Sequence, residues 1–102
     1  MSRALCIQLI NPNTSQAMTA VMAQTARSVA APETQILAVC PEEGAPSIEG
    51  HFDEAIATLG VLQQVKAGRD AGADGHIIAC FGDPGLLAAR ELARGPVVGI
   101  AE

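Results

Sequence analysis

The chain alternates short apolar segments with longer amphipathic ones, and this alternation restricts its fold more than any other feature. Apolar segments of strand character run from Ala4 to Ile10, from Gln35 to Val39, from Gly75 to Cys80 and from Val97 to Ile100. A segment with helical periodicity separates each of them from the next. The order β-α-β-α-β-α-β predicts a parallel sheet with right-handed crossovers. We therefore expect an α/β protein.

The three helical segments carry start and stop signals of their own. We expect Thr14 or Ser15 to cap the first helix, which ends before Pro32, and the second helix to end near Gly72. In the third, Asp83 suits the N-cap and Pro84 the first helical position. The expected core-facing stripes are Met18, Val21, Met22, Ala26 and Val29 in the first helix, and Phe52, Ala55, Ile56, Leu59 and Leu62 in the second.

The length of 102 residues allows one domain, which we place over residues 1–102. The predicted fold is a flavodoxin-like, four-stranded parallel sheet of order 2-1-3-4 with helices on both faces. No helix follows the fourth strand, although parallel sheets are normally covered on both faces. We therefore expect a chain truncated after that strand, which self-associates or lacks a covering part.

Charge and cysteine content exclude several functional classes. Eleven acidic and six basic residues give a net charge of -5 without a basic cluster, so we expect no nucleic-acid partner. The uncharged runs are too polar for a membrane span, and the start Met1-Ser2-Arg3-Ala4 lacks signal-peptide features. We expect a cytoplasmic protein. The three scattered cysteines form no Cys-x-x-Cys motif, which argues against a zinc site, a redox pair or a disulfide framework.

Cys80 stands where a parallel α/β sheet carries its chemistry. It lies at the carboxyl end of the predicted third strand, just before a helix start, in the crevice where open α/β sheets bind ligands. The free amides of that helix start favour negative charge, so they would stabilise a thiolate and an anionic ligand. Cys80 is therefore the leading candidate for a reactive group, with a buried, inert cysteine as the alternative.

Three segments of the chain together resemble the hydantoin racemases of the aspartate/glutamate racemase superfamily. They are Ile10-Asn11-Pro12-Asn13-Thr14-Ser15 with Met18-Thr19, then Gly44-Ala45-Pro46-Ser47-Ile48-Glu49-Gly50 with Asp53-Glu54-Ala55, and Ala79-Cys80-Phe81-Gly82-Asp83-Pro84-Gly85-Leu86 with Ala89-Arg90-Glu91-Leu92 and Pro96-Val97-Val98-Gly99-Ile100. The likeness covers essentially the whole chain and matches the first of the two similar lobes in that family.

The resemblance implies a racemase that needs no cofactor and no metal. Such enzymes invert a carbon next to a carbonyl with two cysteines, one from each lobe, and Cys80 matches the first of them. The implied substrate is a 5-substituted hydantoin, with allantoin, another cyclic ureide or an amino-acid derivative as alternatives. The second lobe and its cysteine are not among these residues, so we expect this chain alone not to racemise and to require a second lobe or a homo-oligomer.

Further site residues follow partly from chemistry and partly from the resemblance. Backbone N–H groups of Phe81, Gly82 and Asp83 are candidate donors to the developing enolate oxygen. In family terms Asn13 is expected to contact the ring amides of the substrate, and Thr14 is a second candidate. The structural alternative is that this Asn-Pro-Asn-Thr-Ser segment forms an ordinary turn and helix cap.

The remaining candidates are interpreted as structural, and one other function stays open. We expect Asn11 to shape the turn, Ser47 and Glu49 to start the second helix, and Cys6 and Cys40 to pack in the interior. His51 lies at the same edge as Cys80, whereas His76 lies at the far end of the third strand. The alternative function is a non-catalytic flavodoxin-like module that binds small anions or associates through an open sheet edge.

Overall fold

The computed structural model describes residues 4–102, which form four strands and three helices in strict alternation. In chain order the elements are β1 (Cys6–Ile10), α1 (Gln16–Val29), β2 (Gln35–Val39), α2 (His51–Asp70), β3 (Gly75–Ile78), α3 (Leu86–Leu92) and β4 (Val97–Gly99). Met1, Ser2 and Arg3, which entered the signal-peptide expectation, lie outside the described residues. The predicted alternation is confirmed, although β3 ends at Ile78 and leaves Cys80 in the following bend.

The strands form one parallel sheet in the order β2-β1-β3-β4. This is the predicted order, and it confirms the α/β class. In this order β2 lies on one side of β1, whereas β3 and β4 lie on the other side. Because the crossovers are right-handed, α1 lies on one face, and α2 and α3 lie on the other. The carboxyl ends of all four strands therefore meet at one edge.

The core lies between the sheet and the α2–α3 layer. Ile10 from β1 and Ile78 from β3 are fully buried there, against Val61 and Val65 of α2. Ala89 and Val97 complete the cluster. Burial of one Val or Ile side chain contributes about 1.5–3 kcal/mol, so this cluster supplies much of the driving force for folding. It also holds the ends of β1 and β3 side by side under the functional edge.

Helix α1 begins as the sequence predicts but turns a different face inward. The Met18 N–H donates to Ser15 Oγ at 3.1 Å, which confirms Ser15 as the N-cap. The buried positions are Thr19 and Ala23, whereas Val29 is exposed. The expected stripe is therefore wrong for Met18, Val21 and Val29, which face solvent. Small side chains let α1 approach the sheet closely, and the larger ones remain outside.

Helix α2 shows the same reversal more strongly. Its buried positions are Ala57, Gly60, Val61, Val65 and Gly68. Phe52 is 78% exposed and Leu59 67% exposed, so the predicted core stripe is wrong there. The reason is close packing at the glycines: a Cβ on Gly68 would overlap the side-chain amide of Gln8, and one on Gly60 would lie 2.9 Å from Pro41. Hydrophobic periodicity therefore predicted the helix correctly, but the close contacts at Gly60 and Gly68 determine which of its sides faces the sheet.

The expected cap of α3 is also wrong. The Asp83 N–H donates to the Cys80 carbonyl at 2.9 Å, and the Leu86 N–H donates to the Asp83 carbonyl at 3.2 Å. These two successive turns delay the helix until Leu86, with Gly85 at φ +75° as its N-cap. Asp83 itself adopts φ +46°, and its carboxylate accepts a hydrogen bond from the Ala101 N–H at 3.3 Å.

The sheet face that carries α1 remains partly open at β4. Val97 on the α3 side is 3% exposed, whereas its neighbour Val98 on the other side is 48% exposed. Within residues 4–102 no helix has the length and apolar character that a bilayer crossing requires.

Candidate functional site

The loops that follow β1, β2 and β3 converge around Cys80. The Ala79 N–H donates to the Ile10 carbonyl at 2.8 Å, and the Asn11 N–H donates to the Val39 carbonyl at 2.8 Å. These bonds extend the ladder just past the strand ends and align the three loops. Cys80 is free and partly exposed, two residues beyond the end of β3. The fold thus places the predicted thiol in the expected crevice.

Two cavities flank Cys80 and share it as a wall. The larger, of about 460 Å³, is lined by Ile48, Glu49, Gly50, His51, Glu54, Cys80, Phe81 and Gly82. The smaller, of about 310 Å³, is lined by Asn11, Pro12, Asn13, Met18, Met22, Ser47, Ile48, Ala79, Cys80, Phe81 and Ile100. Ile48, Cys80 and Phe81 belong to both. A molecule whose reacting atom lies at the sulfur can therefore extend in two directions.

The Asn13 side chain is held in one orientation at the wall of the smaller cavity. The Ser15 N–H and the Asn11 Nδ2 each donate to Asn13 Oδ1 at 2.8 Å. Because a backbone N–H can only donate, the oxygen must face Ser15. The Asn13 Nδ2 then points to Met18 Sδ, a weak acceptor 3.3 Å away in the same wall. Asn13 can thus offer a ligand a hydrogen-bond donor, whereas its oxygen is already occupied.

The turn after Cys80 leaves two of the three predicted amide donors available. The Asp83 N–H is used by the Cys80 carbonyl, because that bond closes the turn. Among the described residues, the N–H groups of Phe81 and Gly82 donate to no other group. The expectation of an oxyanion donor therefore fits Phe81 and Gly82, and the geometry does not support it for Asp83. The Asp83 side chain also turns away, towards Gly99 at the end of β4.

Thr14 and Asn11 serve the loop framework. The Thr14 N–H donates to the Ala45 carbonyl at 3.1 Å and joins the loop after β1 to the loop after β2. Thr14 lies outside the walls of both cavities, so the structure gives no contact that would support its expected role as a ligand residue. Asn11 is 2% exposed, and its amide bonds to Asn13, Ser15 and Thr19. Asn11 thereby positions Asn13.

Glu54, in the first full turn of α2, is a site residue that the sequence analysis did not single out. Its Oε1 lies 2.9 Å from His51 Nδ1, and both side chains line the larger cavity. A Cβ on Gly82 would overlap Glu54 Oε2, so this carboxylate lies directly against the loop that carries Cys80. One signal in the sequence could have identified Glu54. It follows the loop after β2, and because the carboxyl ends of all four strands lie at one edge of the sheet, an acid there lies near the loop that follows β3.

The other cysteines and His76 lie elsewhere. Cys6 starts β1 at the opposite edge of the sheet and is only partly buried, whereas Cys40 is buried directly after β2. His76 is 1% exposed and bonds through Nδ1 to Gln8 Oε1 at 2.6 Å. Burial lowers the pKa of His76, which favours the neutral form of its ring. The described residues contain no group of three side chains suited to hold a metal ion.

Comparison with known proteins gives a consistent set of relatives. The family model of the Asp/Glu/hydantoin racemases matches residues 7–102. The chain is 51% identical over 96 residues to the hydantoin racemase of Pseudomonas sp. (strain NS671). It is 50% identical over 97 residues to the hydantoin racemase of Paenarthrobacter aurescens. Each of these alignments covers 94% of this chain. It superposes on allantoin racemase from Klebsiella pneumoniae with a TM-score of 0.95 and 71% identity over 97% of its length. The chain covers 39%, 41% and 40% of those three proteins.

Proposed function

The chain belongs to the Asp/Glu/hydantoin racemase family, and we propose that it is one lobe of a cofactor-independent racemase that inverts C5 of 5-substituted hydantoins. Cys80 is the acid–base group of this lobe. The observation that carries the proposal is the position of the Cys80 thiol between two cavities, with Asn13 Nδ2 and two unused backbone N–H groups around it. We also propose a cytoplasmic location, as the sequence analysis expects.

The chemistry follows from these groups. A Cys80 thiolate removes the C5 proton, so that an S–H bond forms, the C5–H bond breaks and the electron pair moves onto the adjacent carbonyl oxygen. Donors that are already oriented towards this oxygen stabilise its negative charge. Asn13 Nδ2 and the Phe81 and Gly82 N–H groups are suited to this role because no strong acceptor among the described residues occupies them. A second thiol then donates a proton to the opposite face of C5.

The second thiol belongs to a part of the enzyme outside this lobe. Neither Cys6 nor Cys40 lines the two cavities. Cys6 lies on β1 and Cys40 directly follows β2, so both belong to the same sheet as the strand that leads to Cys80. A proton must return from across the substrate, which a group in this sheet cannot reach. The chain spans about 40% of the length of its relatives, which leaves ample room for a second lobe.

Two substrates of this class have specific support. The relatives at 50–51% identity are hydantoin racemases, whereas the solved structure at 71% identity is an allantoin racemase. Allantoin is itself a hydantoin with a ureido group on C5, so the same proton transfer serves both. The proposed reaction is therefore the inversion of 5-substituted hydantoins, with allantoin as the second candidate substrate.

Deuterium exchange tests the role of Cys80 without the second lobe. In deuterated water, a single base can exchange the C5 hydrogen of a hydantoin from one face, which proton NMR detects and which leaves the optical rotation unchanged. We expect exchange above the uncatalysed rate with the wild-type chain, its loss in Cys80→Ser, and its retention in Cys6→Ser, which alters a thiol at the opposite sheet edge. Cys80 should also react faster with iodoacetamide than Cys6 does. Equal labelling together with no exchange would favour the non-catalytic module.

A further inference from the structure

The start of α2 and the loop before it give the larger cavity an acidic wall beside the Cys80 loop. Glu49 and Glu54 both line it, but they differ in setting. The Glu49 residue is exposed on the loop, whereas the Glu54 side chain is 29% exposed and packed between His51 and Gly82. His51 Nδ1 lies 2.9 Å from Glu54 Oε1 and forms a hydrogen bond with it. Glu54 Oε2, beside Gly82, has no hydrogen-bond donor among the described residues. A carboxylate oxygen that is partly removed from water and has no donor favours a ligand with N–H groups.

The backbone around Glu54 fixes this carboxylate in place. The Glu54 N–H donates to the Gly50 carbonyl at 3.0 Å, and Thr58 Oγ1 donates to the Glu54 carbonyl at 2.9 Å. The position at the start of a 20-residue helix stabilises its negative charge. Gly82 has no side chain, and this allows the carboxylate to reach the loop of Cys80. Glu54 is therefore held at the reacting end of the cavity.

A 5-substituted hydantoin matches the two-cavity arrangement. C5 carries a hydrogen, two ring atoms and the exocyclic substituent, so a substrate that presents its hydrogen to Cys80 sends the ring and the substituent in different directions. Asn13 Nδ2 lies in the smaller cavity, where Met22 and Ile100 provide apolar walls, and this suits the ring with its carbonyl. The substituent then enters the larger cavity and meets Glu54.

We infer that Glu54 determines substituent specificity: its carboxylate accepts hydrogen bonds from N–H groups on the C5 substituent, as in the ureido group of allantoin, and rejects substituents that carry a carboxylate. This inference rests on the proposed function, since it assumes that the ring lies beside Asn13. His51 is a positioning residue that orients the carboxylate through Oε1. Apolar substituents gain nothing from Glu54, because they offer no N–H group to its carboxylate.

Ligand binding tests the inference without turnover. The probes are allantoin, 5-methylhydantoin and hydantoin-5-acetic acid, titrated into the wild-type chain, Glu54→Gln and Glu49→Gln, with NMR shifts as the readout. We expect Glu54→Gln to weaken allantoin about tenfold, to leave 5-methylhydantoin unchanged and to tighten hydantoin-5-acetic acid. Glu49→Gln, which removes the more exposed charge of the same wall, should change each affinity less than twofold.

The outcomes separate this inference from the proposed function. Binding of the hydantoin ring with an equal effect of Glu54→Gln on all three probes would refute the specificity role and leave the racemase proposal intact. An effect of Glu49→Gln as large as that of Glu54→Gln would also refute it, because it would indicate a general field of negative charge. If the wild-type chain binds none of the three probes, both proposals fail together. Circular dichroism checks that each isosteric variant remains folded.

Discussion

The contact between Gly68 and Gln8 sets a sharp test of how α2 packs on the sheet. Gln8 is 1% exposed, and its amide donates through Nε2 to the Gln64 carbonyl at 2.8 Å and bonds through Oε1 to His76 Nδ1 at 2.6 Å. A Cβ at position 68 would overlap this amide. The amide cannot move aside without losing both bonds. Gly68→Ala therefore has to displace either the Gln8 side chain or the helix.

The magnitudes decide the sign of the change. Alanine is better than glycine in a helix interior by about 1 kcal/mol. Overpacking costs about 1–3 kcal/mol, and each buried polar group that loses its partner costs about 1–3 kcal/mol more. We expect Gly68→Ala to lower the free energy of unfolding by about 2–4 kcal/mol. In a domain of this size, that corresponds to a fall in Tm of at least about 8 °C.

Urea unfolding followed by far-ultraviolet circular dichroism is the suitable assay, since the chain contains no Trp or Tyr for intrinsic fluorescence. Gly50→Ala is a control for added side-chain volume, because a Cβ there meets no atom within 4 Å; since Gly50 is the N-cap of α2, where alanine is less favourable than glycine, we expect a loss of at most about 1 kcal/mol. Gln8→Ala removes the obstructing amide, so Gly68→Ala should cost less in that background. A Gly68→Ala chain as stable as wild type would refute the packing argument.

Two further predictions concern His76 and Asn13. Burial holds the pKa of His76 below its ordinary 6.5, so the unfolded chain takes up this proton first and stability falls as the pH drops below about 6.5. Urea midpoints between pH 8 and 5.5 should show this slope, and His76→Gln should reduce it. An unchanged slope in His76→Gln would contradict the assignment. Asn13→Asp keeps the acceptor for Ser15 but removes the donor, so C5 exchange should fall about 100- to 1,000-fold with little loss of stability. Exchange at the wild-type rate would exclude Asn13 as a donor to the enolate.

Those parts of the site that depend only on neighbouring residues and on strand order could be predicted from the sequence. The turn after β1, the Ser15 cap and the strand before Cys80 are each specified by neighbouring residues. The alternation indicated a parallel sheet, and the order usual for flavodoxin-like sheets, 2-1-3-4, brings Asn13 and Cys80 into one cavity wall. Asp83 was misjudged because a consecutive pair of turns, which depends on the Cys80 carbonyl, precedes α3.

The sequence by itself determined the order of helices and strands and the edge of the sheet at which Cys80 lies. Hydrophobic periodicity, helix caps and turns, which depend on neighbouring residues, carry this information. Only the tertiary structure decided which side of α2 meets the sheet, because glycines at Gly60 and Gly68 allow contacts that hydrophobicity does not reveal. The same helix orientation places Glu54 against Gly82 and leaves Phe52 outside. These contacts join residues that are distant in the chain. Shape complementarity between packed surfaces determines them, and no local pattern of residues carries that information.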